Sequence, residues 1–403
     1  MFTEKQLDNY AEALLWGLCK QKKDEFKAGD IIMIKASSPA MALVECLYRK
    51  VLQRGWQPVV KILPTEIMEV DYFTYAKDYH LDWLPPWWKE EAQEVRGNIY
   101  ISAPTSLTHL KDVSPEKQQR NAKAVKPWRD FITEQEQKDL FAWTLAIWPM
   151  KCKADKAGMS LKEFKNQIVR ACHLNSKDIW ATWNNIQDEI DAIKDKLNSM
   201  MPDVDYFHMV SDSGEVDIKI KPGAMRRWMG GRGCNIPSFE IFTSPDWRGT
   251  TGKFYADQPS YRSGRLVRGV RLTFEDGLVV KASAEEGEDY LLSTLDTDED
   301  ARKVGEFSLT DIRHSKINKF MADTLFDENF GGAEGNSHIA IGSAYLETYT
   351  GDQSELDKNK KEELGYSDSV VHWDLINTES KIVFAVMKNG DSKITYKHGS
   401  YII

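Results

Sequence analysis

Thiol chemistry has little to draw on in this sequence. The five cysteines, Cys19, Cys46, Cys152, Cys172 and Cys234, are odd in number and widely spread, and no two form a C-x-x-C pair. That argues against both a disulfide framework and a zinc-thiolate site, leaving buried free thiols as the plain reading. No stretch approaches the roughly 18 uninterrupted apolar residues that a membrane-spanning helix needs. The opening MFTEKQLDNYAEALLW carries acids where a secretory signal needs a basic and then an apolar run, so a soluble, cytoplasmic protein is expected. Positive charge is not in excess either. The formal net charge of -9 speaks against a broad nucleic-acid surface and gives a self-repelling exterior. Internal repeats and low-complexity tracts are also missing.

What the chain does have is material for two cores. Its 403 residues, 41% of them apolar, exceed the roughly 100 to 200 residues of an ordinary domain. After an amphipathic opening helix that runs to about residue 28, Ile31 to Lys35 reads as a short strand. Ser38-Pro39 follows as a helix start, the helix runs to Arg54 and stops at Gly55, and Pro58 to Ile62 is a second strand. That β-α-β unit predicts a parallel sheet. NIYISAP and LFAWTLAIWP read as further buried strands. The spacing of Phe164, Ile168, Ile179, Trp183, Ile186, Ile190, Ile193 and Leu197 predicts helix from Leu161 to Met200. Past Pro202 the pattern changes to short alternating strands with hairpin signals at Asp276-Gly277 and Asn389-Gly390. The expectation is therefore an α/β domain with a parallel sheet over 1–200, and a mainly antiparallel β (α+β) C-terminal domain over 201–403. Helical pieces are expected near Asp296 to Glu306 and His314 to Leu325. The basic cluster Lys117 to Arg129 and the polar run 351–364 read as solvated loops.

Four segments of the second half place metal-type ligands inside apolar or glycine-rich sequence. These are Glu240 in SFEIF, Glu306 in VGEFSL, His338 and Tyr345 in GNSHIAIGSAY, and His372 and Asp374 in VVHWDL. A lone Glu on a strand usually faces solvent, but a carboxylate buried among apolar residues is costly unless it is paired or holds a cation. In a strand His372 and Asp374 share one face while Trp373 takes the other. A helix capped by Asn336 or Ser337 would set His338 and Tyr345 two turns apart on one face with Gly342 between them, whereas a strand would oppose them; the helical or turn-like reading is thus the one compatible with a joint site. Carboxylates and imidazoles together suit zinc, cobalt or manganese, and paired ions in such sites stand about 3.5 to 4 Å apart.

NIPSFEIFTSP, GEFSL, GGAEGNSHIAIGSAY and VVHWDL, in this order, resemble the signatures of the aminopeptidase T / aminopeptidase S family of metallo-aminopeptidases, the thermophilic metalloproteases. The β-α-β start and the ACHLN region resemble that family's N-terminal domain more weakly. The resemblance implies two divalent metal ions per chain, held by Glu240, Glu306, His338, Tyr345, His372 and Asp374. It implies Glu306 as the bridge, Glu240 and Asp374 on one ion and His338 and His372 on the other, with Tyr345 as ligand or oxyanion donor. It further implies peptide substrates with a free N-terminus, a homodimer, and a first domain that limits access. SLTDIRHSKI after GEF departs from the family pattern and bears on specificity. An amidase on the same centre, or a binding protein with a residual site, are the alternative readings. Arg313 and His314 are expected to approach the site. Gly230-Gly231-Arg232-Gly233 reads as a turn, and His80, His109, His173, His208 and His398 as surface or satisfied histidines. The aromatic patch of Trp83, Trp87 and Trp88 reads as packing between domains or as a subunit interface.

Overall fold

The computed structural model describes residues 1–403, the side chain of Ser354 excepted. The chain divides into two compact units. One holds Met1–Ile186 with Gly231–Ser238 and Ser263–Arg265; the other holds Gln187–Gly230, Phe239–Arg262 and Leu266–Ile403. The division falls inside a long helix, Ile179–Met200.

In the first unit a capping box starts helix α1, Glu4–Lys20: Gln6 N donates to Thr3 Oγ1 and Thr3 N to Gln6 Oε1, satisfying two of the donors that a helix N-terminus leaves open. Strand β1 (Ile31–Ala36), helix α2 (Met41–Gln53) and strand β2 (Gln57–Ile62) form the expected β-α-β unit, with β1 and β2 parallel. With β3 (Val95–Ser102) and β4 (Ala142–Ile147) they make a parallel sheet in the order β2-β1-β3-β4. Lys117 to Arg129, expected as a loop, is helical instead, lying in Pro115–Ala124 and Lys126–Gln137. Gln135 alone is buried there, yet Trp128, Phe131 and Ile132 stand at helical spacing in the second helix, a short apolar stripe that the loop reading passed over. The stretch Leu161 to Met200 is two helices, Leu161–Ala171 and Ile179–Met200.

The second unit is built on two antiparallel sheets. The larger has eight strands, in the order Leu278–Ser283, Val270–Glu275, Thr251–Ala256, Asp217–Ile220, Val204–Ser211, Lys381–Met387, Ser392–Lys397 and Ser400–Tyr401. Asp276 and Gly277, at φ 47° and 83°, close its first hairpin, the backbone a tight two-residue turn demands. The smaller sheet has five strands, in the order His372–Asn377, Asn336–Gly342, Val304–Thr310, Glu240–Thr243 and Met229–Gly230. Phe207 of the larger sheet lies 6.3 Å from Phe307 of the smaller, and Trp228 closes the triad at 5.2 and 5.6 Å. The two sheets thus share an apolar core, and the parallel-plus-antiparallel class expected from the sequence is the class observed.

Several local expectations fail. The helices of the 288–327 region are Glu288–Leu295 and Thr324–Asp327, and Glu306 stands on a strand rather than at a helix end. All seven residues of Val304–Thr310 are buried, and Glu306, Ser308 and Thr310 alternate with Phe307 and Leu309 as strand residues do, the polar set facing the other acids rather than water. The run 351–364 contains a helix, Lys358–Leu364, whose N-cap Asp357 accepts from Lys360 N at 2.8 Å.

Candidate metal centre

The smaller sheet explains how four distant segments meet. Residues directly opposite one another on neighbouring strands present their side chains on the same face. Thr310 pairs with Glu240 and Asn336, Ser308 with Phe242 and His338, and Glu306 with Ala340. On the far side His338 pairs with Ile376, Ala340 with Asp374, and Gly342 with His372. Glu240, Glu306, His338, His372 and Asp374 are therefore all on one face, and Ala340, between Asp374 and Glu306, leaves room for their carboxylates to converge. The opposite face carries Ile241, Phe307, Leu309, Ile339, Ile341, Trp373 and Leu375, all buried. A single alternation sorts the strands into a charged face and an apolar one.

The expected helix from Asn336 is thus a strand, and the joint site with Tyr345 forms in another way. Gly342, at φ 96°, ends the strand, and a Cβ there would meet Val371 O at 2.2 Å. The chain turns after it, and Tyr345 N donates to Ser244 Oγ at 2.8 Å. That places the Tyr345 ring 4.7 Å from the His372 ring and 5.4 Å from Phe242.

The distances organise the cluster around Glu306. His338 Nε2 lies 3.4 Å from Glu306 Oε1 and 3.5 Å from Glu240 Oε2. His372 Nε2 lies 3.3 Å from Glu306 Oε2 and 3.3 Å from Asp374 Oδ1. Two ligand groups result, Glu240-Glu306-His338 and Glu306-His372-Asp374, each with its donor atoms within 4.8 Å of one another. These groups differ from the expected partition: each contains one histidine and one acid of its own beside Glu306, with His372 and Asp374 in the same group. Two donors each about 2.0 to 2.1 Å from a tetrahedral ion stand roughly 3.3 Å apart, so the spacing fits a shared cation.

The electrostatics point the same way. Three carboxylates converging out of water repel one another and lose hydration, a cost that cations or protons must offset. Burial, and then the charge of Glu306, pushes Glu240 up to about 8. Burial would pull His338 down, but the hydrogen bond and charge of Glu306 lift it to about 9. His372 is likewise held well above its usual range by Asp374 and Glu306 against its burial. The histidines in turn keep Glu306 and Asp374 below the ordinary carboxylate range although burial opposes this. Tyr345, 38% exposed as a residue, has its phenol pushed well above its usual range by burial and then by Glu306, Asp374 and Glu240.

The two groups differ in depth and support. Side-chain exposure is 1% for His338, 3% for Glu306 and 11% for Glu240, against 15% for Asp374 and 24% for His372. His372 Nδ1 is 2.9 Å from Ser343 O, a contact that places the proton there and turns Nε2 toward the acids. For His338 Nδ1 no hydrogen-bond partner is found among the described residues. Ser308 Oγ lies 3.4 Å from Glu240 Oε2.

Arg313 and His314 do not join the cluster. Arg313 is turned to Asp311, with Nε 2.9 Å from Oδ1, and His314 Nδ1 lies 3.2 Å from Glu189 Oε2. Of the lone histidines, His109 pairs with Glu69 at 2.6 Å and His208 with Asp217 at 2.7 Å. One acid was overlooked: Glu328, 6% exposed, whose carboxyl is pushed well above its usual range by burial and then by Glu240, Asp374 and Glu306. Its signal was the run TLFDENF, where an acid stands in a segment apolar enough to be buried.

The model of the thermophilic metalloprotease family matches residues 3–401. Among curated proteins, Aminopeptidase 2 of Geobacillus stearothermophilus is 27% identical, over 99% of this chain and 98% of that one. Aminopeptidase T of Thermus aquaticus is 28% identical, over 93% and 94%. The solved structure of wild-type AmpT from Thermus thermophilus, 24% identical, superposes over 100% of both chains with a TM-score of 0.78, so the fold is shared from end to end. The chain belongs to the thermophilic metalloprotease family and is a peptidase by that membership.

Proposed function

We propose that this protein is a metal-dependent aminopeptidase that removes residues from the free N-terminus of peptides at a two-ion centre. The observation that carries the reading is Glu306, whose two carboxylate oxygens reach a different histidine each, at 3.4 and 3.3 Å. Glu240, Glu306 and His338 would hold one ion, and Glu306, His372 and Asp374 the other. Oxygen and imidazole donors suit zinc, cobalt or manganese. Bound there, such ions would acidify water and polarise a peptide carbonyl.

The chain's own groups do the rest. The Ser343 carbonyl holds His372 in the tautomer whose Nε2 faces the cluster. Tyr345 keeps its proton against the surrounding carboxylates, so its hydroxyl can donate to the oxygen that becomes negative as the carbonyl is attacked. Acting as a ligand instead would require the phenol to lose that proton, which the same carboxylates oppose until cations balance them. Trp83 and Trp87, 54% and 58% exposed, are a candidate contact for a homodimer, the assembly proposed for this cytoplasmic enzyme; light scattering of the purified protein tests it.

The function is tested by elemental analysis of the purified protein, combined with turnover of a free-amine peptide and of its N-acetylated twin. Metal content near two ions per chain, loss of activity on chelation, recovery on adding metal back and rejection of the blocked peptide are expected. Equal cleavage of both peptides would point to an amidase, and full activity without metal would sink the scheme.

A further inference from the structure

On the reading just given, every carboxylate of the two ligand groups is taken up as a ligand, yet hydrolysis of a peptide bond still needs a group to take a proton from water and return it to the leaving amine. Glu328 stands where such a group is needed. Its backbone carbonyl accepts from Thr310 Oγ1 at 3.1 Å and from Asn336 Nδ2 at 2.9 Å. Thr310 is the cross-strand partner of both Glu240 and Asn336, so those two side chains rise from the charged face and the peptide unit they grip lies over it. The next residue tightens the placement: Asn329 Oδ1 accepts from Phe239 N, beside Glu240, at 2.6 Å, and Asn329 Nδ2 lies 3.5 Å from Glu328 Oε1. The carboxylate itself is within the field of Glu240, Asp374 and Glu306, and its charge is also felt at the Tyr345 phenol. Glu328 is buried, its backbone carbonyl is held by two side chains, and it is in neither ligand group.

We propose that Glu328 is the catalytic proton carrier of the reaction. As the water oxygen bonds to the peptide carbonyl carbon, one of its O–H bonds breaks and the proton passes to a Glu328 carboxylate oxygen. As the C–N bond breaks, that proton goes to the amine nitrogen and the carboxylate is restored, so one water is consumed with no other reagent. The side chain acts from a rigid mount, which keeps it available for both transfers.

The test uses the metal-loaded enzyme. Glu328→Gln is expected to lower kcat on a peptide by about a hundred- to ten-thousand-fold. KM, metal content by elemental analysis and calorimetric binding of a product amino acid should stay close to wild type. The loss should be smaller on an aminoacyl-p-nitroanilide, whose weakly basic leaving group needs less help from a proton donor. A kcat within about fivefold of wild type, a change confined to KM, or loss of metal would each overturn the assignment. If the Gln variant does not fold, Glu328→Asp decides: withdrawal by one methylene should cost at least about tenfold in kcat with metal retained, and an unchanged kcat overturns the proposal. Wild-type protein that turns over no free-amine peptide would instead refute the function on which this role rests.

Discussion

The two ligand groups share Glu306 and differ in nearly everything else. The deep one, Glu240-Glu306-His338, is closed off, and its histidine lacks a hydrogen-bond partner on Nδ1 among the described residues. The shallow one, Glu306-His372-Asp374, reaches the surface, and its histidine is fixed by the Ser343 carbonyl and lies against Tyr345. On the proposed two-ion reading this contrast divides the labour: the buried position would retain its ion and the accessible one would meet the substrate.

The most damaging change to that arrangement should be the one that ignores it. Glu306→Gln removes the common member and is expected to lose both ions and about a thousandfold or more of activity, read by elemental analysis and turnover. Next come the unshared acids. Asp374→Asn should empty the shallow position alone, leaving about one ion per chain and roughly a hundredfold less activity. Glu240→Gln should weaken the deep position, and chelation of wild type should proceed in two phases, shallow first. If both variants lose both ions together, the centre is one unit and the contrast fails.

Proton competition sharpens the comparison further. Burial and then the charge of Glu306 push metal-free Glu240 up to about 8, and against its burial His338 is lifted by Glu306 to about 9, so near neutrality both hold protons that an incoming cation must displace. Asp374 is ionised throughout this range and only His372 holds a proton in the shallow group. Affinity should therefore rise with pH at both positions, about tenfold per unit for each displaced proton, most steeply in the deep one between pH 6 and about 8, where Glu240 and His338 both hold protons. Calorimetry in buffers of different ionisation enthalpy counts the protons released. The smallest effect on catalysis is expected from the apolar face. Trp373 is 1% exposed and donates from Nε1 to Ser260 Oγ at 3.0 Å. Trp373→Ala should cost about 3 to 5 kcal/mol of stability, measured by denaturation of the metal-free protein, while metal content is unchanged.

How much of this was legible depended on the segment. VVHWDL read as a strand because Val371, Trp373 and Leu375 alternate with His372 and Asp374, and that alternation is what the structure uses. SHIAIG has the same alternation, but the need to bring Tyr345 alongside His338 favoured a helix. Only the reversal at Gly342 and the bond to Ser244 show how a strand achieves it. Glu306 was noticed while its element was misassigned, although Glu306, Ser308 and Thr310 alternate with Phe307 and Leu309 as in a strand. The pairing of acids with histidines could not be read from spacing, since it depends on which strands are neighbours. Glu328 lay hidden for a related reason: its placement comes from side chains of Thr310 and Asn336, which nothing local links to it.

The sorting of five strands into a charged and an apolar face has one more implication, for what this region can tolerate over evolutionary time. The alternation works like a reading frame with a period of two. Adding or deleting a single residue within Asn336–Gly342 would exchange the positions of His338 and Ile339, sending an imidazole into the Phe307 core and an isoleucine into the acids. Substitutions can be absorbed one at a time, whereas single insertions would damage folding and metal binding together. Length changes in this family are therefore expected to collect in the connections between these strands and to spare the strands themselves.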